Sequence, residues 1–417
     1  MSEKKTSFAG VAAPEEATDP PPAQPWKRTL GALLIAQFVS ILGFSLVQPF
    51  LPFYVQELGV EGDAQVALWS GIVIGAMNIS FGSMAPVWGS LADRYGRKMM
   101  VGRSMLGGMV SMVLMGMCRN VYQLVAVRVL QGALTGTVTA TNTLVSSVVP
   151  RRRMGYSLGL NQTMVVLGLS LGPWIGGFLA EYWGLRTSCF VSAGILLIAG
   201  AVAMLGAQER FQVAPESRPG SGIGMRQAFG GRGLLAIMAA LFFIALSTSF
   251  AGPVFPLLVE KIAGPARAAS ATGMLLGVGG LAAGLAAAVL GRIGDRIGHR
   301  KLLMGMTAAA GVLTVPHAFV QTLMQLVPVR LSLGAAAGGI QPTINAFIST
   351  SVSSDMIGRA YGTTRTANAL GFAIGPILCG LMASMLGLRL PFVIMGVLLL
   401  ISSGVVARFV KPPNGGE

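Results

Sequence analysis

Long apolar runs alternate with short polar breaks along almost the whole chain. Twelve runs can be marked: 29–54, 66–90, 99–118, 121–147, 156–181 and 185–207, then 233–259, 269–292, 301–320, 322–350, 359–386 and 389–409. Each is long enough, as a helix, to cross the roughly 30 Å hydrocarbon layer of a bilayer. No strand-like alternation competes, and a helix satisfies its own backbone in lipid, so the expected class is an all-α membrane protein. Residues 208–232, with Pro215, Pro219, Gly220, Ser221 and Gly222, read as a linker. Residues 1–28 are polar and Pro-rich and read as a disordered tail. The tail lacks the apolar region of a signal peptide, so the first run is expected to be a permanent anchor. The expected layout is a tail (1–28), a six-helix half (29–207), a linker (208–232) and a second six-helix half (233–410).

The second half repeats the first. Gly89-Ser90-Leu91-Ala92-Asp93-Arg94-Tyr95-Gly96-Arg97-Lys98, after the second run, returns as Gly291-Arg292-Ile293-Gly294-Asp295-Arg296-Ile297-Gly298-His299-Arg300-Lys301. Asp93 and Asp295 are 202 residues apart. Arg128 and Gly132 in span 4 are echoed by Arg330 and Gly334 in span 10. Span 5 carries Gly159, Gly168, Gly172-Pro173 and Gly176-Gly177, and span 11 carries Gly362, Gly371, Gly375-Pro376 and Cys379-Gly380 at the same gaps. Pro49 and Pro52 answer to Pro253 and Pro256. Two such halves, related by an axis along the membrane normal, place a binding site at their interface near the midplane.

Charge fixes an expected orientation. Only 11% of residues are charged, against about 25% in soluble domains. Of the 30 Lys and Arg, with those near span ends counted with the adjoining loop, 22 lie on the termini, the linker and the even-to-odd loops, five on the opposite loops and three (Arg128, Arg330 and Arg365) within spans. Both termini are therefore expected in the cytoplasm. The net charge of +15 is scattered over short loops, which suits an anionic leaflet and argues against nucleic acid as a partner. Cys118, Cys189 and Cys379 have unrelated spacings, so no disulfide or metal site follows. There is no HExxH, phosphate-binding loop or nucleophile with His and acid partners, so the chain reads as no enzyme and needs no cofactor.

The Gly-x-x-x-Asp-Arg-x-Gly-Arg-Lys loop resembles that of the major facilitator superfamily. With Arg128-x-x-x-Gly132 and the span 5 glycine pattern, the resemblance covers nearly the whole chain after the tail. It points to the 12-span drug:proton antiporter family, of the multidrug resistance protein G type. It implies a major facilitator fold of twelve transmembrane helices in two pseudo-symmetric halves. It also implies multidrug efflux by antiport with protons, antibiotic resistance and a monomer in the cell inner membrane, with drug-like small molecules, protons and lipid as partners. The alternatives left open are a metabolite uptake or exchange carrier of the same fold and a non-transporting membrane sensor. Growth with toxic compounds, with and without the gene, separates these.

The resemblance assigns gating to Gly89, Asp93, Arg94, Gly96 and Arg97. Asp93 would face the N-terminus of span 11 near Gly358 and lock the cytoplasmic side, where a helix end favours an anion by about 0.3–1 kcal/mol. By the repeat, Asp295, Arg296 and Gly298 would act alike, with Asp295 near Gly155. Gly89 and Gly96 are expected to permit a close turn. Positive-inside bias alone accounts for Arg94 and Lys98, but not for two Asp at matching places. Gly168, Gly172 and Gly176 share one helix face, where small residues let helices approach. Pro173 bends that helix. Gly177, Gly371, Gly375 and Pro376 complete the packing set.

Polar residues within spans are the candidates for coupling or substrate. The resemblance gives Arg128 a part in proton coupling, while an Arg satisfied by carbonyls at a broken helix is the plainer reading. Gln37, Gln48, Asn142, Asn161, Gln162, Gln341, Asn345, Arg365 and Asn368 supply further polar groups. No acid stands at a span centre, and neither His299 nor His317 is placed at one. Acids near span ends, Asp93 first and then Glu57, Glu181 and Glu260, are thus the candidate proton carriers. Arg128, Arg330 and Arg365 without a central acid suit anionic or zwitterionic compounds, since guanidinium matches carboxylate and phosphonate.

Overall fold

Each apolar run folds as helix because lipid offers no partner for an open backbone, and no strand occurs among the described residues. A computed structural model describes residues 26–209, 232–344 and 357–409. Among these, ten segments are long and apolar enough to cross a membrane. Twelve crossings emerge because the 53-residue helix Met154–Gly206 is broken at Gly184 (φ 83°, ψ 162°), which separates spans 5 and 6. Span 9 is the shorter helix His299–Thr314, continued by the 3₁₀ turn Val315–Ala318. Residues 1–25 of the expected tail and 210–231 of the expected linker lie outside the described residues, whereas residues 26–28, expected in the tail, begin the first helix.

Several spans are interrupted where one unbroken run was expected. Span 1 is a helix over Trp26–Ser45, a 3₁₀ turn at Gln48–Phe50 and a short helix over Leu51–Glu57. Span 7 breaks likewise between Arg232–Phe250 and Phe255–Ala263. Pro49, Pro52, Pro253 and Pro256 lack the N–H that would close those turns. Span 4 divides into Val121–Leu134 and Thr137–Val148 at Gly136, whose φ of 134° no side-chain-bearing residue adopts readily. Spans 2 and 3 (Asp63–Tyr95 and Arg97–Gly116) are joined by Gly96 alone, at φ 93°. Span 8 (Ala268–Ile297) meets span 9 through Gly298, at φ 90°. These glycines sit at equivalent places in the repeated loop, and each makes a one-residue turn possible.

Close helix contacts follow the same symmetry. A Cβ at Gly168, Gly172 or Gly176 would collide with Ile41, Ser45 or Leu46 of span 1, so that face lies directly on span 1. In the second half Gly371 and Gly375 lie equally close to Phe242, Leu246 and Ser249 of span 7. Ser45 Oγ donates to the Gly168 carbonyl (2.8 Å), and Ser249 Oγ to the Gly371 carbonyl (3.4 Å). Gly132 is pressed on span 2 at Met77, and Gly334 on span 8 at Gly279. Between halves, Gly71 meets the Pro376 carbonyl and Gly273 the Pro173 carbonyl. Pro173 and Pro376 thus mark the places where span 5 crosses span 8 and where span 11 (Ile357–Leu386) crosses span 2.

Candidate functional site

The two halves enclose a cavity of about 420 Å³. The first half contributes Ser45, Gln48, Pro49, Ile74, Asn78, Leu169 and Pro173. The second contributes Thr248, Ser249, Phe255, Thr314, His317, Arg330, Leu333, Phe372, Pro376, Phe392 and Met395, among others. No Asp or Glu is among the described lining residues. Asn78 Nδ2 crosses between halves to the Phe372 carbonyl (3.0 Å). The Arg330 guanidinium lies 4.3 Å from the centre of the Phe255 ring, and its Nε has no hydrogen-bond partner. An aromatic face attracts a cation by about 0.5–2 kcal/mol, depending on desolvation.

A second cavity, of about 230 Å³, lies in the first half beside the central one and shares Ser45, Gln48, Asn78 and Leu169 with it. Arg128 lines it and is only 2% exposed. Its Nη1 donates to Gln131 Oε1 (2.6 Å) and its Nε to the Val73 carbonyl (3.3 Å), while Nη2 has no partner. The plainer reading therefore holds in part: one carbonyl and one neighbouring amide receive the guanidinium.

Among the described residues, the remaining sequence candidates do not form one cluster. Gln48 lines both cavities. Gln37 is buried with neither amide atom bonded. Asn161 Nδ2 donates to Asn142 Oδ1 (2.7 Å), a pair joining spans 4 and 5. Gln162 and Gln341 are exposed, and Asn368 is half-buried. Asn345 lies outside the described residues, as does the side chain of Arg365.

The two ends of the bundle differ. At the end carrying Glu57, three polar contacts join the halves. Lys261 pairs with Asp63, Gln56 Nε2 donates to Glu260 Oε2 (2.9 Å), and the Ser270 amide donates to Glu181 Oε2 (3.3 Å). Arg186 and Glu57 pair within the first half (3.1 Å). Toward the other end, spans 5 and 8 touch as far as Gly284 against Val166. Beyond it a Cβ at Gly155, Gly159 or Gly291 would meet nothing within 4 Å. Among the described residues, the polar contacts that join the halves therefore lie at the Glu57 end, apart from that of Asn78 with the Phe372 carbonyl beside the central cavity.

At that end Asp93 is exposed and borders a pocket of about 260 Å³ with Trp88, Arg97 and Arg103. Gly89 lines the same pocket, and a Cβ there would meet no described residue within 4 Å. Arg94 stacks on Tyr95 (5.5 Å), and Arg296 and Gly298 are exposed. The side chains of Asp295 and of residues 357–366 are outside the described set. Glu209 accepts from the amides of Arg97 (3.1 Å) and Lys98 (2.7 Å), capping the first turn of span 3.

Two residues escaped the sequence reading. Arg103, already within the third run but not singled out, lies in span 3 with its guanidinium 3.5 Å from the centre of the Trp88 ring. His317 lines the central cavity. Its signal was the Pro316-His317 pair: the proline ends the helix early, and the histidine lands on a 3₁₀ turn.

Two pseudo-symmetric helical halves, built from membrane-capable segments around a cavity, define a polytopic membrane protein. The profile described as Major Facilitator Superfamily matches residues 33–263 and 237–417. The chain belongs to that family. It is 35% identical over 391 residues to the multidrug resistance protein MdtG of Yersinia enterocolitica, covering 93% of this chain and 94% of that one. It is 36% identical over 387 residues to MdtG of Escherichia fergusonii, covering 92% and 93%. Among solved structures, the nucleoside transporter NupG matches with a TM-score of 0.75 at 13% identity, over 92% of this chain and 99% of that one. A bacterial homologue of the human lysosomal transporter Spinster matches with a TM-score of 0.76 at 14% identity, over 93% and 98%.

Proposed function

We propose that this protein is a secondary active multidrug exporter, working by alternating access and antiporting protons, and that it favours anionic or zwitterionic compounds. The relatives' name, multidrug resistance protein, supports efflux. The central cavity carries the substrate preference: Arg330 lines it, and no described carboxylate does. A cation entering it would meet Arg330 with no counter-charge, whereas a carboxylate or phosphonate would find a guanidinium fork. The positive-inside bias supports an inner-membrane orientation with both termini and the Asp93 end in the cytoplasm. In that orientation the contacts joining the halves at the Glu57 end support a state that loads from the cytoplasm. Domain limits at 29–207 and 233–410, joined by the linker 208–232, and a monomeric state complete the reading.

The test is transport in proteoliposomes with and without an imposed pH gradient, using anionic, zwitterionic and cationic fluorescent drugs. Gradient-driven movement of anions and zwitterions, weakened in Arg330→Gln, is the expected result. Rates that ignore the gradient would remove proton coupling. Robust movement of cationic dyes, with none of anions, would remove the charge preference.

A further inference from the structure

The central cavity contains no described acid, yet antiport with protons needs a group that gives up its proton when substrate arrives. One titratable group borders the cavity and has a site to spare. His317 is fully buried in the 3₁₀ turn that ends span 9. Its ring stacks on Phe392 (5.4 Å, 8°) and meets the edge of Phe255 (6.2 Å, 70°), so it is held in one plane by spans 7 and 12. Nδ1 lies 3.0 Å from the Thr314 carbonyl. A carbonyl can only accept, so Nδ1 carries the hydrogen and the neutral ring keeps its lone pair at Nε2. Nε2 has no partner, although it is buried.

The surroundings of the ring contain few other charges. Span 10 presents Arg330, spans 7 and 12 present the aromatic rings, and span 9 presents the Thr314 carbonyl. Arg389, at the start of span 12, is committed to the Val320 carbonyl (3.4 Å). Phe255 borders both Arg330 and His317, so a substrate group on one is near the other.

We propose that His317 is the site where proton and substrate compete: its Nε2 holds either a proton or a hydrogen bond from an N–H donor of the substrate. Arg330 beside it takes the anionic group of the same zwitterionic molecule. This deepens the proton-antiport reading and rests on it. In the loading state the substrate's ammonium displaces the proton. The Nε2–H bond breaks, the proton leaves to water on the loading side, and the lone pair accepts from the substrate. After the halves swing, the substrate departs, and water on the far side returns a proton to Nε2. One proton moves inward for each zwitterion exported. The imidazolium so formed can no longer accept from the substrate. It also adds a second positive charge beside Arg330, which repels an ammonium.

The experiment measures protons released on substrate addition to the purified full-length protein in weakly buffered detergent, using a pH-indicator dye. The probes are a panel of zwitterionic amphiphiles that includes norfloxacin, with binding followed separately by calorimetry. Two variants are compared. His317→Asn can keep the donation to Thr314, and His317→Gln reaches toward the Nε2 position. The expected result is proton release by the wild type, with binding that tightens as pH rises. Either folded variant, judged by its melting temperature, should bind at least one zwitterion but release no protons and bind independently of pH. Equal release by wild type and variants overturns the role of His317 and leaves antiport standing with another carrier. Binding without release by the wild type removes proton antiport itself, and His317 with it. No binding of any zwitterion by the wild type overturns the paired recognition by Arg330 and Nε2.

Discussion

A guanidinium within the hydrocarbon layer persists only with partners, and Arg128 takes one from its own helix and one from span 2. Gln131 is one turn further on and receives Nη1 at 2.6 Å. Gln131→Ala should leave that buried donor without an acceptor, at a cost of about 1–3 kcal/mol. The check is a lower melting temperature in detergent, with the loss largely restored in Gln131→Glu. Retention of the wild-type melting temperature in Gln131→Ala would show that water replaces the amide. Arg128 and its likeness to Arg330 were legible in the sequence because a charge inside an apolar run stands out. His317 was not, because its importance depends on which wall of the cavity a shortened helix presents. For Gln162 and Gln341, polarity within a span was visible in the sequence but the direction each side chain takes was not, and both are exposed.

Helix packing was the most legible element-scale feature, because the spacing of Gly168, Gly172 and Gly176 defines a face without knowledge of the neighbour. The neighbour, span 1, had to come from three dimensions. A Cβ at Gly172 would press on Ser45 and stand 3.1 Å from the Leu42 carbonyl. Gly172→Leu should therefore abolish transport, with an overpacking cost of about 1–3 kcal/mol. Gly194→Ala is the matched control in the same long helix, since a Cβ there meets nothing within 4 Å. It should transport at the wild-type rate. Substrate flux in proteoliposomes distinguishes the two, and normal flux in Gly172→Leu would refute the role of that face. The breaks in spans 1, 4 and 7 were only partly legible. Pro49, Pro52, Pro253 and Pro256 announced two of them, whereas the third needed the φ of Gly136.

The two ends of the bundle set the energetic scale of the whole molecule. Lys261 and Asp63 are about half exposed, and an exposed pair contributes roughly 0.2–1 kcal/mol. Removing it with Asp63→Asn should shift the balance of states by less than about tenfold and leave transport nearly intact. Asp93→Asn is expected to impair transport severely while membrane insertion stays normal, because the resemblance assigns Asp93 to the contact that closes its own end. Parallel flux and expression measurements on both variants check this. Equal, undiminished flux in Asp93→Asn and Asp295→Asn would dismiss the gating role of the repeated loop.

The repeat also carries a record of history. Asp93, Arg128 and Gly132 stand 202 residues before Asp295, Arg330 and Gly334, whereas Gly168, Gly172 and Gly176 stand 203 residues before Gly371, Gly375 and Cys379. A duplicated unit of one length would keep a single offset. Pro49 and Pro52 stand 204 residues before Pro253 and Pro256, so the copies differ in length both between the first span and the Asp93 loop and, by one residue, between Gly132 and Gly159. In the first half that interval holds the Thr135-Gly136 break and the Val149–Arg153 connection. The connection at 149–153 joins the fourth and fifth spans within the interval where the two copies differ in length, which makes it a first place to insert a reporter peptide, with flux in proteoliposomes as the check.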